Sequence, residues 1–387
     1  MRVLLLCWRD TGHPEGGGSE TYLEHVAEHL VQSGHEVVYR TAAYPGEKKT
    51  SERSGVTFSR AGGNYSVYVR GWLAMLAARF GIGSIARGLG GKPDVVVDTQ
   101  NGVPFFARIF SGAPTVVLTH HCHREQWPVA GPVTGKIGWF IESRLSPWLH
   151  RGCRYITVSE PSAEDLRDLG VAADAIRVIR NGVDPAPAPA ESPVAPDTDI
   201  DPCSLEHGLR LVTLSRLVPH KQIEHAIDAV AELVTDYPNA QLDIIGSGWW
   251  TDELVRYAEE RNVGKHVVFH GHVSEEEKHA ILAGACLHLM PSRKEGWGLA
   301  VIEAAQHRVP TIGYSSSAGL RDSVVDGETG VLAQDRRHLE ELTRMLIDDA
   351  TTRRALGDAA ELRARGFSWD ATGAAVQEEL ESVVANR

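Results

Sequence analysis

Cysteine is scarce and scattered in this sequence. Its five residues (Cys7, Cys122, Cys153, Cys203 and Cys286) include no close pair. That spacing excludes a dense disulfide framework or a paired-thiolate zinc module, and the set reads as reduced thiols in a cytoplasm. Long apolar runs are missing too. The opening Met1-Arg-Val-Leu-Leu-Leu-Cys-Trp8 breaks at Arg9-Asp10. It is too short for a signal peptide, and no later run nears the ~20 residues of a membrane span. There is no basic excess: 39 Lys and Arg face 51 Asp and Glu, a formal charge of −12, which gives no general attraction to nucleic acid. The glycines after the first apolar run are the unspaced Gly16-Gly17-Gly18, not the spaced fingerprint of a nicotinamide dinucleotide site.

What is present is ordinary globular composition, 42% apolar and 23% charged over 387 residues, enough for two or three domains. Short apolar runs at 3–8, 36–40, 94–98, 115–119, 155–158 and 176–179 read as strands of a first half. Runs at 209–214, 241–245, 266–270, 286–290, 311–314 and 331–333 read as strands of a second. Helical spacing lies between them, as in 19–30 with apolar positions 23, 26, 27 and 30. Strand, glycine-rich turn, helix and strand in both halves predict an α/β protein of two Rossmann-like domains with parallel sheets. The Pro/Ala run at 185–196 marks the boundary. We expect domains at 1–184 and 209–365, a linker at 185–208 and a helical tail at 366–387.

One stretch carries most of the chemistry. Pro291-Ser-Arg-Lys-Glu-Gly-Trp-Gly-Leu-Ala-Val-Ile-Glu303 follows a strand and opens a helix, so 294–298 turn at a strand's carboxyl end, where open α/β sheets bind ligands. Gly296 and Gly298 let backbone approach a ligand, and a helix beginning near Leu299 offers free N–H groups to a phosphate. Glu295 in the turn and Glu303 inside the helix could accept hydroxyls on either side of that phosphate, which describes a nucleotide sugar. The plainer alternative is a solvated Glu303 and a Glu295 favoured by the helix dipole. Ser215-Arg-Leu-Val-Pro-His-Lys221 is a second strand-to-helix turn. Its Arg216 and Lys221 would neutralise a departing diphosphate, or else are surface charges. Gly246-Ser-Gly-Trp-Trp250 ends another strand, its tryptophans either stacking on a base or capping the core.

These stretches together resemble the family-four retaining glycosyltransferases, nearly end to end. The carriers are Glu295 and Glu303 at the family's spacing after Pro-Ser, Ser-Arg-Leu-x-x-x-Lys at 215–221, Gly17 and Gly18 of a Gly-Gly-x-Glu segment, and Asn181-Gly-Val-Asp184 before the hinge. The resemblance implies the GT-B fold, two Rossmann-like domains facing across a cleft. It implies transfer of a hexose from a UDP- or GDP-linked donor to a hydroxyl acceptor, with no metal, no cofactor beyond the donor, and no nucleic acid. Arg216 and Lys221 would hold the diphosphate, Glu295 the sugar and Glu303 the ribose. Gly17 and Gly18 would cover the donor. Gly246 and Val273 would lie by the nucleoside, with Gly296, Gly298 and Leu299 at the phosphates. A histidine after 115–119 would reach the transferred sugar: His120, or His121 in the other register. The tail at 366–387 would cross back to the first domain. Gly319 with Asp322 departs from the family's Gly-x-x-Glu. A non-catalytic sugar-nucleotide or glycan-binding module and a nicotinamide oxidoreductase are the rival readings.

Three further features stand apart. His120, His121, Cys122 and His123 suggest zinc, but consecutive ligands cannot all converge on one tetrahedral ion. Asp197-Thr-Asp-Ile-Asp201 lies in the linker and reads as solvated acid. Residues 53–93 hold Arg53, Arg60, Arg70, Arg79, Arg87 and Lys92 and no acid. They form either a basic amphipathic face for an anionic membrane or phosphorylated acceptor, or a buried helix with snorkelling arginines. The expected location is the cytoplasm, with peripheral contact at the inner membrane face left open.

Overall fold

The computed structural model describes residues 1–14, 16–124, 127, 131–187 and 208–386. The chain divides into two units, Met1–Gly182 with Ser368–Arg387, and Val183–Phe367.

The first unit is built on eight strands: β1 Arg2–Leu6, β2 Glu36–Thr41, β3 Thr50–Arg53, β4 Val56–Arg60, β5 Val95–Thr99, β6 Thr115–Thr119, β7 Arg154–Thr157 and β8 Ile176–Val178. Their order is β3-β4-β2-β1-β5-β6-β7-β8, parallel throughout except for the β3–β4 hairpin. The valine runs of β5 and β6 are buried along their whole length, as a parallel sheet covered on both faces requires. One face, with Leu4, Leu6, Val38 and Val96, takes Val67, Met75, Ala78 and Ile85 from helices Ser66–Arg79 and Gly83–Gly88. The β1-to-β2 crossover runs the opposite way along the sheet, so right-handed connection puts helix Gly18–Gln32 on the other face. The final helix, Trp369–Ala385, lies beside it. Trp369 stacks on His25 with ring centroids 4.2 Å apart, and a Cβ at Gly373 would come within 2.4 Å of His29.

The second unit has six parallel strands, β9 Arg210–Leu214, β10 Gln241–Ile245, β11 Val267–Gly271, β12 Leu287–Met290, β13 Thr311–Tyr314 and β14 Gly330–Ala333. Their order is β11-β10-β9-β12-β13-β14. The chain builds outward from β9 to β11, then returns to β12 on β9's free side and builds the other way. The strand order therefore reverses between β9 and β12, the position at which doubly wound sheets open a crevice. Leu211, Leu242, Ile244, Leu289 and Ile312 pack against Ile227, Val230 and Leu254 beneath it.

Two expectations are corrected here, and one of two alternatives is removed. The β3–β4 hairpin escapes the hydrophobic pattern because β3 is an exposed polar edge strand. The basic stretch is not a buried helix with snorkelling arginines: Leu73 and Phe80 are 58% and 73% exposed. Within it, Arg53 pairs with Glu24, and Arg60 Nε lies 2.6 Å from Asp10 Oδ2 with both side chains buried. Finally, Cys7, Cys122 and Cys153 are in no disulfide, but Cys286 is disulfide-bonded. Dispersion along the chain says nothing about which cysteines folding brings together. Cys203, residues 188–207 and the Asp-x-Asp acids lie outside the described residues. Among the described residues no helix is long and apolar enough to cross a membrane.

Candidate active site

The loops that leave β9 and β12 start side by side. The strands are paired neighbours, and Thr213 Oγ1 donates to Leu289 O at 2.7 Å. The first loop tightens into a 3₁₀ turn, Pro219–Lys221, ended by Gln222 in the left-handed region at φ 50°. The second runs from Pro291 to Gly298. Its Arg293 N–H donates to His220 O at 3.0 Å, and Lys221 Nζ lies 2.5 Å from Glu295 Oε1, with the two side chains 12% and 10% exposed. Two residues far apart in sequence are thus joined by a charge-assisted contact at the point where the strand order reverses. Arg216 shares the first loop, is exposed, and has no ion-pair partner among the described residues.

Glycines set this geometry. Gly298 holds φ 92° as the chain turns into helix Leu299–Ala305, a conformation that costs a Cβ-bearing residue about 1 kcal/mol or more. A Cβ on Gly319 would sit 2.4 Å from Glu295 O, so only glycine lets helix Ala318–Ser323 pack against the Glu295 turn. That gives Gly319 a packing role, while the Asp322 carbonyl receives Arg363 Nη2 at 2.8 Å. At Gly246, with φ 125°, a Cβ would meet Ser215 O at 1.9 Å. The loop after β10 therefore lies flush on the Arg216 loop, and Leu217 N–H donates to Ser247 O at 3.0 Å. Trp249 and Trp250 divide between the two readings. Trp250 packs on the core and donates to Glu224 Oε1 at 2.6 Å, whereas Trp249 is exposed. Val273, just past β11, is half-buried against the Ile281–Leu282 cluster.

Glu303 sits on the short helix, 2.6 Å from Lys278 Nζ. Lys278 also holds Glu275 at 2.6 Å. Burial pushes its ammonium down, but Glu303 and Glu275 together outweigh burial and the net direction is up. The sequence reading missed Lys278. It lies on helix Glu275–Ala283, and nothing in its local spacing signals a carboxylate 25 positions away. Helix Leu299–Ala305 is only seven residues long, so its first-turn N–H groups matter more than its macrodipole. His220, between the two loops, is held below its ordinary value by burial and then by Lys221.

His120, Gly17 and Gly18 belong to the first unit. His120 directly follows β6, is buried edge-on to Tyr22 at 5.1 Å, and accepts Ser162 Oγ–H on its carbonyl at 2.8 Å. Neither ring nitrogen has a hydrogen-bond partner among the described residues. Burial pushes its pKa down to about 4, so the imidazole is neutral near pH 7. His121 is half-buried, with its ring 4.4 Å from that of His123. Gly17 N–H donates to Glu20 Oε2 at 2.9 Å at the start of helix Gly18–Gln32. Neither Gly17 nor Gly18 has positive φ, and around Gly18 nothing would meet a Cβ within 4 Å, so the space beside that backbone is open.

A second residue the sequence hid is Glu142. It lies in a π-helical turn, Ile141–Leu145, between helices Pro132–Phe140 and Ser146–Leu149. Its fully buried carboxylate accepts His123 N–H at 3.0 Å and Trp127 Nε1–H at 2.6 Å, and lies 3.1 Å from His123 Nδ1. The Trp127 ring fits a slot in which a Cβ on Gly138 would come within 2.2 Å. Glu142 thereby fixes the loop that follows His120. Among the described residues no group of three His, Cys, Asp or Glu is placed to hold a metal ion.

Residues 205–363 match the family model described as glycosyl transferases group 1, and residues 16–187 match glycosyltransferase family 4. A glycogen synthase of Mycobacterium tuberculosis (strain ATCC 25618 / H37Rv) is 27% identical, covering 97% of this chain and 93% of its own. A GDP-mannose-dependent alpha-(1-6)-phosphatidylinositol monomannoside mannosyltransferase of Mycolicibacterium smegmatis is 28% identical, covering 95% of each. Among solved structures, sucrose-phosphate synthase from Thermosynechococcus elongatus superposes with a TM-score of 0.78 at 19% identity, over 100% of this chain and 99% of that one. Anabaena HepE in complex with UDP and glucose gives 0.73 at 18% identity, over 99% and 100%.

Proposed function

The chain belongs to glycosyltransferase family 4, a hexosyltransferase of GT-B fold, and from that premise we propose that it moves a hexose from a nucleoside diphosphate sugar to a hydroxyl with retention of configuration and without a metal ion. The observation that carries the proposal is the Lys221–Glu295 contact at the strand-order reversal of the second unit.

Negative charge grows on the diphosphate as the glycosidic bond breaks. Lys221 and Arg216 meet that charge, together with the N–H groups where helix Leu299–Ala305 begins, and fixed donors aimed at developing charge lower a barrier most effectively. Glu295, held by Lys221, accepts hydroxyls of the sugar and orients it. Glu303, positioned by Lys278, accepts the ribose hydroxyls. The acceptor hydroxyl attacks from the face the diphosphate leaves. His120, in the first unit, keeps a neutral imidazole whose ring nitrogens are uncommitted among the described residues.

The relatives differ in donor. The mannosyltransferase is named for GDP-mannose, and the HepE structure holds UDP. A thermal-shift panel of UDP, GDP, ADP and TDP separates the candidates, because a ligand bound only by the native state raises its melting temperature by about 2.7 kcal/mol's worth at a hundred times Kd. One nucleotide should stand out from the other three. A flat response to all four would count against a donor site at Lys221 and Glu295.

A further inference from the structure

We propose that the outer side of one helix layer of the first unit is a docking surface for an anionic lipid bilayer. The layer covers the sheet face that carries Leu4, Val96 and Asp98. Helix Ser66–Arg79 packs on Leu4 and Val96. Asp98, two residues on from Val96 and so on the same side, accepts the N–H groups of Phe105 and Ala107 at 2.7 and 2.8 Å and lies 3.7 Å from His150 Nε2. Helices Ser66–Arg79, Ala107–Phe110 and Ser146–Leu149 therefore share this face, and their outer sides look the same way.

Those outer sides are apolar. Tyr65, Val69, Leu73, Leu76 and Phe80 recur every three or four residues, a single helical stripe, and are 37–80% exposed. Helix Pro132–Phe140 lies in the β6-to-β7 crossover, which runs the same way along the sheet as β4 to β5 and so falls on the same face. Its Val133, Ile137 and Phe140, with Trp148 beyond, repeat the pattern at 55–69% exposure, and Ile109 lies on the short helix at 47%. Apolar exposure on this scale marks an interaction surface.

Charge identifies the partner. Residues 53–151 hold 11 of the chain's Lys and Arg but only 4 of its Asp and Glu. With Arg53 and Arg60 set aside as paired to Glu24 and Asp10, nine cations face four acids, a local +5 in a chain of −12. Asp98 and Glu142 are fully buried, and Asp94 is paired with Arg2 at 2.7 Å. Arg70, Arg79, Arg87 and Lys92 are exposed, and none has an acidic partner among the described residues. A second copy would set positive surface against positive surface, which disfavours self-association through this face. A negatively charged, broad and apolar-cored partner fits both features, and an anionic bilayer has all three properties.

The test is flotation of the full chain with vesicles of phosphatidylcholine alone or mixed with phosphatidylglycerol, alongside light scattering in solution. The wild type should favour the anionic vesicles, and salt should weaken its binding. Each cation near such a surface contributes roughly fivefold, so Arg70→Gln with Arg79→Gln should weaken partitioning by about 25-fold. Leu73→Ser with Phe80→Ser should abolish it. All four side chains are exposed, so unchanged melting temperatures and nucleotide binding will show that the variants are intact. Equal or absent binding to the two vesicle types would overturn the proposal. So would variants that bind like the wild type, or a solution oligomer that Leu73→Ser with Phe80→Ser dissolves.

Discussion

Replacing Lys221 by Met keeps the length of the side chain and deletes its charge. Glu295, only 10% exposed, then loses the ammonium at 2.5 Å. Breaking a buried ion pair by removing one partner costs about 3–5 kcal/mol. Both groups here keep a little solvent, so the lower end applies, about 3 kcal/mol, or roughly 6–12 °C in the melting of a unit this size. Replacing both partners, Lys221→Met with Glu295→Gln, leaves no unpaired charge, and most of that loss should return. Activity should behave differently. A cation aimed at charge developing in the transition state contributes about 100- to 1,000-fold in kcat, and the double variant cannot restore it. Melting temperature and donor turnover measured on the wild type, both single variants and the double variant form one cycle. The expected result is stability rescued and turnover not. A double variant no more stable than Lys221→Met, or a Lys221→Met enzyme with near-full turnover, would refute the role given to the pair.

The other predictions concern the glycines, the π-helical turn and the buried histidines. Gly319→Ala drives a Cβ into Glu295 O and should cost about 1–3 kcal/mol together with nucleotide affinity, whereas Gly18→Ala meets nothing and should leave melting unchanged while lowering turnover. Wild-type melting in Gly319→Ala, or full turnover in Gly18→Ala, would contradict these roles. Glu142→Gln exchanges a carboxylate for an amide facing donors, which should cost about 1–3 kcal/mol. It should also remove hydrogen-exchange protection at the His123 amide, and retained protection would remove Glu142 as the loop's anchor. Burial holds the fully buried His120 and His288 neutral, at about 4 and about 3. Below their ordinary 6.5 the unfolded chain takes up protons that the native chain refuses, so stability should fall as pH drops from 6.5 toward 4, by ~1.4 kcal/mol per pH unit for each histidine. His288→Gln should flatten that slope, and pH-independent melting across this range would contradict the burial.

How much of this was legible in the sequence depended on how local each cause was. Parallel strands buried on both faces, such as β5 and β12, write themselves as apolar runs, and the glycine turns after them write the position of a ligand site. Arg216, Lys221, Glu295 and Glu303 could be proposed because the turns after two such strands carry the motif spacing of a known family. The contact between Lys221 and Glu295 could be anticipated only through the strand order, which sequence periodicity does not contain. Lys278 and Glu142 were invisible because their roles depend on partners brought close by packing between elements. The exposed stripe from Tyr65 to Phe80 stayed open between two readings for the same reason. An apolar helix with arginines looks identical in sequence whether its outer side meets protein or solvent, and only the layer order shows which. Gly319 looked like a departure from a motif until the carbonyl of Glu295 was seen filling the space of its missing Cβ.

Calorimetric titration of a nucleoside diphosphate, UDP or GDP according to the thermal-shift panel, into the wild type and Lys221→Met tests the central claim most directly. The wild type should bind, and Lys221→Met should bind at least about tenfold more weakly, as expected for a lost charge-assisted contact worth ~1.5–3 kcal/mol. Equal affinity in the two proteins, or no binding by the wild type, would contradict a diphosphate grip at Lys221.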